Sequence, residues 1–293
     1  MASWTVTEPQ QIPLDTAGPI TRLDVRLTTG RLSVVGTDGP PRIEVGNISE
    51  VPLHVDLVDG LLSVAQEDVK TWPGAFAPLW WWWRGGRRYA VDVSVAVPYE
   101  TLTQLWVADG SVVASGIYAD LTADCVNGRV TLFGIDGSLR AKVISGPIEA
   151  LGCAGRVDLE TVSGEITLAD IAARRVRAKT VSGALTADLD NPPRDCDVQL
   201  ETISGEITIR IREDSDLSVK LAAAHGRVTS EFEGLSGRGT WGSSASGVLG
   251  AGTGRLAANA VGGSISLLRR PVDVDFGVGG DAADGVGGTG EES

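Results

Sequence analysis

The sequence predicts an all-β, single-chain β-solenoid of about 8–10 coils, each roughly 18–22 residues long. Two observations carry this. A Ser-Gly or Asn-Gly step recurs at Gly128, Gly146, Gly164 and Gly183, and Gly205 and Gly226 continue the run. Around each glycine the apolar residues alternate with period two, and the parity of that alternation changes at the glycine.

The clearest units are Val157–Leu168, Val176–Ala187 and Val198–Ile209. Inward positions fall seven, five and three residues before the glycine, and two and four after it. At Gly164 these are Val157, Leu159, Thr161, Ile166 and Leu168; at Gly30 they are Leu23, Val25, Leu27, Leu32 and Val34. Period two marks a strand with one buried face. An unbroken strand cannot change parity, so the glycine step must be a corner or a bulge. Gly128, Gly146, Gly164, Gly183, Gly205 and Gly226 are therefore the expected structural corners. Gly110 leads this run, Gly263 follows it after a gap, and Gly30 and Gly60 anchor looser N-terminal units. One coil cannot bury its own apolar face, so the coils must stack as parallel layers about 4.8 Å apart.

The outward positions ahead of successive glycines read Asp124, Lys142, Glu160, Lys179, Glu201 and Lys220. Their signs alternate. Stacking would set them in one column, each charge beside its opposite, which fixes register at a gain of ~0.2–1 kcal/mol per pair. Thr131, Thr167, Thr186, Thr208 and Thr229 lie three residues after their glycines and should form a second outward column of β-branched residues.

The unit Thr161–Leu168, repeated at Thr180–Ala187 and Thr202–Ile209, resembles the DUF4097 family of candidate adhesins, also called toastrack or β-strand-repeat proteins. The resemblance spans roughly residues 20–270. It implies a right-handed β-helix-like fold and a non-enzymatic binding or scaffold role, with no catalytic residues to carry over. Related domains accompany bacterial envelope-stress proteins, which implies a place near the cell envelope.

On this reading residues 1–19 are a lead-in and 20–270 the solenoid. Residues 66–98 are a Trp-rich insertion, 236–254 a Gly/Ser-rich loop, and 271–293 a disordered Gly- and acid-rich tail. Within the insertion Trp80, Trp81, Trp82 and Trp83 run together, followed by Arg84, Arg87 and Arg88. Four adjacent indoles cannot all face inward. They form the candidate interaction loop, toward a membrane surface or a protein partner, since tryptophan and arginine favour lipid headgroups and interfaces. Stacking on a sugar, or folding back as a cap, are the other uses of such a segment.

The net charge of −13 disfavours nucleic acid. Cys125, Cys153 and Cys196 are three widely spaced thiols without a C-x-x-C pair, so neither a disulfide framework nor a metal site is expected. The N-terminus has no basic-then-apolar leader, and the expected location is cytoplasmic, peripheral to the inner face of the membrane. No H-E-x-x-H, G-x-S-x-G or P-loop motif occurs, and no cofactor is expected. His225 takes the place of a corner serine, and His54 sits at an outward strand position. The enzymatic alternative is a polysaccharide lyase or hydrolase using Asp136, Asp170, Asp188 and Asp190, all of which follow second strands. Homo-oligomers, if formed, are expected through the solenoid ends.

Overall fold

Each glycine step turns the chain through a corner, and the corners lie on top of one another. The computed structural model describes residues 2–14, 18–66, 90–189, 195–238 and 243–271, which form strands and turns. The N-terminal part holds β1 (Ala2–Val6), β2 (Gln10–Pro13), the long β3 (Arg22–Thr37), β4 (Arg42–Ile48), β5 (Leu53–Val58), β6 (Leu61–Gln66) and β7 (Ala90–Pro98). Regular coils follow: β8 (Leu102–Ser115), β9 (Leu121–Phe133), β10 (Asp136–Ser145) with β11 (Ile148–Leu151), and β12 (Ala154–Ser163) with β13 (Ile166–Ala169). Next come β14 (Ala172–Ser182) with β15 (Leu185–Leu189), then β16 (Asp197–Ser204) with β17 (Ile207–Arg212). The C-terminal part comprises β18 (Leu217–Ala223), β19 (Val228–Ser230), β20 (Ser236–Arg238), β21 (Ser243–Val248), β22 (Gly254–Ala260) and β23 (Ile265–Arg270).

Two faces meet at the glycine corner. The first runs β6–β3–β8–β9–β10–β12–β14–β16–β22–β18 in parallel. It is closed by antiparallel β5 and β1 at one end and by β21 and β20 at the other. The second runs β7–β3–β8–β9–β11–β13–β15–β17–β23–β19 in parallel, with antiparallel β4 and β2 beyond β7. β3, β8 and β9 pass through the corner as single strands and serve both faces.

Spatial order departs from chain order twice. β3 lies beside β8, with the excursion 42–98 folded to its other side. The last coil, β22/β23, is inserted between β16/β17 and β18/β19 instead of ending the stack. Residues 90–98, expected to belong to the insertion, are β7, an inner coil strand with Val91, Val93, Val95 and Val97 buried. The segments 1–19 and 236–254, read as lead-in and loop, contribute β1, β2, β20 and β21. The Trp-rich residues Trp80–Trp83, Arg84, Arg87 and Arg88 lie outside the described residues, as do Asp190 and the tail beyond 271.

The inward columns form one continuous core. Leu139, Val157, Val176, Val198 and Leu256 stack in one line, with Ile148, Ile166, Leu185, Ile207 and Ile265 in another, all essentially inaccessible. Inward threonines join them. Thr161 donates its hydroxyl to the Gly146 carbonyl and Thr180 to the Gly164 carbonyl, both at 3.2 Å, tying each coil to its neighbour at the corner. Thr180→Val keeps the volume and removes the bond. It should cost about 1 kcal/mol in urea denaturation, because a buried carbonyl loses a partner.

The corner column explains the glycines better than backbone torsion alone. A Cβ on Gly110 would strike the Gly30 carbonyl; on Gly128, that of Gly110; and so on through Gly146, Gly164, Gly183 and Gly205. The line continues to Gly263, which faces the Gly205 carbonyl, and then to Gly226, which faces Gly263. Every backbone here sits directly against the next, so no side chain fits. Gly128 also has φ of +144°, whereas Gly164 has no left-handed torsion and is constrained by the close approach alone.

Candidate functional site

The first face turns its outward residues to solvent, and these are the site candidates. Ahead of the corner, Asp124, Lys142, Glu160, Lys179 and Glu201 stack in register. Lys142 Nζ lies 2.9 Å from Glu160 Oε2, and Lys179 Nζ lies 3.1 Å from Glu201 Oε2. The hydrogen bond that Lys142 donates to the Glu160 carboxylate raises the Lys142 pKa. Burial raises that of Asp124, partly offset by the Lys142 and Arg140 charges. The neighbouring outward column repeats the pattern, with Arg140 3.9 Å from Asp158. Exposed pairs of this kind contribute about 0–1 kcal/mol each, so their role is register. Lys220 does not extend the column. It pairs with Ala257, one column away, and the coil next to Glu201 supplies Asn259 because β22 is interposed.

The feature that the inward template overlooks lies two residues before each glycine. Val126, Ile144, Val162, Val181, Ile203 and Val261 are 37–55% exposed. They occupy six consecutive coils, since their flanking residues pair in register from β9 through β22. At about 4.8 Å per coil they make an apolar ladder about 24 Å long. Single exposed hydrophobics are ordinary, while a contiguous line of six is a surface feature. The parity rule already makes these positions outward, and every one is β-branched, so the signal was present in the Thr-Val-Ser-Gly unit. A groove of about 580 Å³ runs between the ladder and the charge column, lined by Trp106, Lys142, Ile144, Glu160, Val162 and Val181 among others.

The second face is less distinctive. Thr131, Thr167, Thr186, Thr208 and Thr229 stand in their outward column. Thr131 bonds to Glu149, 3.2 Å away, and Thr229 bonds to Ser266, 3.1 Å away. His54 lies 3.3 Å from the Thr5 hydroxyl, and His225 is exposed at its corner, 3.3 Å from the Val261 carbonyl.

Two acidic residues of the enzymatic alternative, Asp170 and Asp188, have structural roles. Asp170 occupies a second corner with φ of +52°, in line with Gly116, Gly134 and Gly152. Aspartate is one of the few residues that tolerates this torsion. Asp188 is held by Arg210 and by Arg270, the latter at 3.5 Å. Asp136 opens β10 opposite Ala154. Among the described residues no group of three or more His, Cys, Asp or Glu side chains could hold a metal ion.

All three thiols are free and buried in the core. Burial pushes each upward in pKa, Cys125 from 9.0 to about 11. The folded state thus favours the neutral thiol. That contribution is complete below pH 9.0 and is lost as pH rises toward 11. Urea midpoints measured across this window should fall, and Cys125→Ala should flatten the fall.

Among solved structures, a candidate adhesin from Bacteroides fragilis is similar at 12% identity, over 91% of this chain and 97% of that one, with a TM-score of 0.46. A candidate lipid-binding protein from Parabacteroides distasonis is similar at 11% identity, over 89% and 96%, with a TM-score of 0.40. A candidate adhesin from Parabacteroides merdae is similar at 11% identity, over 91% and 96%, with a TM-score of 0.37. No curated protein matches. The model of the Toastrack DUF4097 family matches residues 43–268, which include every regular coil and the glycine corners from Gly110 to Gly263, and the chain belongs to that family.

Proposed function

We propose that the protein is a non-catalytic contact module, a stiff solenoid that presents the outer surface of its first face to a binding partner. The observation that carries this is the apolar ladder from Val126 to Val261. The inward columns are already filled, so the ladder is not needed to complete the core. Exposed β-branched residues bordered by charges suit the apolar centre and polar rim of an interface. The test exploits their exposure. Replacing Val162, Val181 and Ile203 together with serine should leave the urea midpoint nearly unchanged, since surface substitutions usually fall within about ±0.5 kcal/mol each. In native-cell extracts the variant should migrate at a smaller size than the wild type. Unchanged migration would contradict the proposal.

The Trp-rich segment is proposed as a second contact element, for a membrane surface or a protein partner. β6 ends at Gln66 and β7 begins at Ala90, so residues 67–89 join two strands at the corner that other coils turn with a glycine. The end of β6 and the start of β7 lie on the corner edge that carries the ladder in later coils, which supports this reading. Co-sedimentation with anionic vesicles, compared between wild type and a variant with Trp80–Trp83 changed to serine, tests the lipid form of the idea. Binding by the wild type alone supports it, and equal behaviour removes it.

A further inference from the structure

We infer that the partner on the first face is a second copy of this chain, laid antiparallel about a two-fold axis between Val162 and Val181. The inference rests on the contact-surface reading and adds an occupant to it.

The parity of the ladder decides the packing. The ladder has six rungs, so its midpoint falls between coils, between the third rung Val162 and the fourth rung Val181. A two-fold axis there reverses coil order and overlays the whole ladder on itself. Val162 meets Val181 of the other copy, Ile144 meets Ile203, and Val126 meets Val261. The charge column follows the same operation. Glu160 then faces Lys179 and Lys142 faces Glu201, while Asp124 faces the neutral Asn259. No like charges are opposed.

Other arrangements fail this condition. An axis through a coil pairs charges two coils apart, which share a sign. An axis along the stack over the charge column brings each charge opposite its own copy, and one over the ladder sets the two columns on opposite sides, so that no charge meets an opposite. Like charges in direct opposition discriminate strongly against a wrong register. Strict alternation therefore selects antiparallel packing centred between coils, and the neutral Asn259 falls where the alternation ends. The dimensions suffice. Six coils extend about 29 Å, and the strand ahead of each corner about 23 Å. Two such faces bury on the order of 1,300 Å² together, against about 1,200–2,000 Å² for specific interfaces.

The test uses paired charge reversals in the full chain. Glu160→Lys with Glu201→Lys makes the centre of the column positive. Lys142→Glu with Lys179→Glu makes it negative. Sedimentation velocity should show the wild type as a dimer that weakens with added salt, each double variant as a monomer, and an equimolar mixture of the two as a dimer again. Should either double variant fail to fold, Val162→Cys mixed with Val181→Cys provides a second readout. A disulfide should link the two chains more readily than it links Val162→Cys to itself. A wild type that stays monomeric at its highest soluble concentration overturns the inference. So does a dimer insensitive to the reversals. Photo-crosslinks from the ladder to other proteins, together with a monomeric wild type, would overturn the second copy while leaving the contact surface standing. A monomer without crosslinks would remove both.

Discussion

Gly128→Ala should destabilise the protein by at least about 4 kcal/mol, or prevent folding. Two causes act together. The φ of +144° belongs to a region that is strained for any residue with a Cβ, at about 1–3 kcal/mol. The new methyl would also fall on the Gly110 carbonyl, a backbone atom inside a stack of coils that cannot withdraw without moving its neighbours. Gly134→Ala is the control. Its φ is +56° and no atom lies within 4 Å of the added Cβ, so only the torsional cost of about 1–2 kcal/mol remains. Urea denaturation of the two variants separates close approach from torsion. Equal losses would show that the stacked corners do not constrain the fold as described.

Ending the chain at Gly252 should release much more than its last coil. Among the described residues β18 is attached to the parallel stack only through β22, and β19 only through β23. Without the inserted coil, residues 217–248 have no parallel partner on the stack. The buried side chains involved include Leu217, Val219, Leu221, Leu256, Ile265 and Leu267. Their burial is worth on the order of 10 kcal/mol before conformational entropy is subtracted. Limited trypsin digestion should trim the shortened chain back to near Arg212, while the full chain resists cleavage there. Protection of residues 217–248 in the shortened chain would contradict the inserted order.

These two cases also mark what could be read from residues alone. The corners were legible because a Ser-Gly step and a parity change coincide at Gly146, Gly164, Gly183 and Gly205, and only a turn satisfies both. The coil order was not. Val219 with Leu221 and Leu256 with Ala258 fill the same inward columns, and the apolar pattern does not say which pair lies beside Leu200. Periodicity shows that coils stack without showing which coil is next. Lys220 is a different case: it lies six residues before Gly226 where the charged positions lie four before theirs, so it falls one column over, and the inserted strand supplies Asn259 beside Glu201. Residues 90–98 were hidden by their neighbours: the Trp- and Gly-rich run before them masked an alternating strand, Val91 through Val97. The apolar ladder was present in the repeat and escaped notice because the inward template fully explained the core. An excess of outward β-branched residues is informative only once the outward columns are known to be contiguous.

The first face, and its ladder in particular, is the surface proposed to make contact with a partner. Placing a photo-activatable amino acid at Ile144 or Val181 in the native cell tests it most directly, with Thr186 on the second face as the reference position. Covalent adducts are expected from both ladder positions and few from Thr186. Equal labelling from all three positions, or none from the ladder, would contradict it.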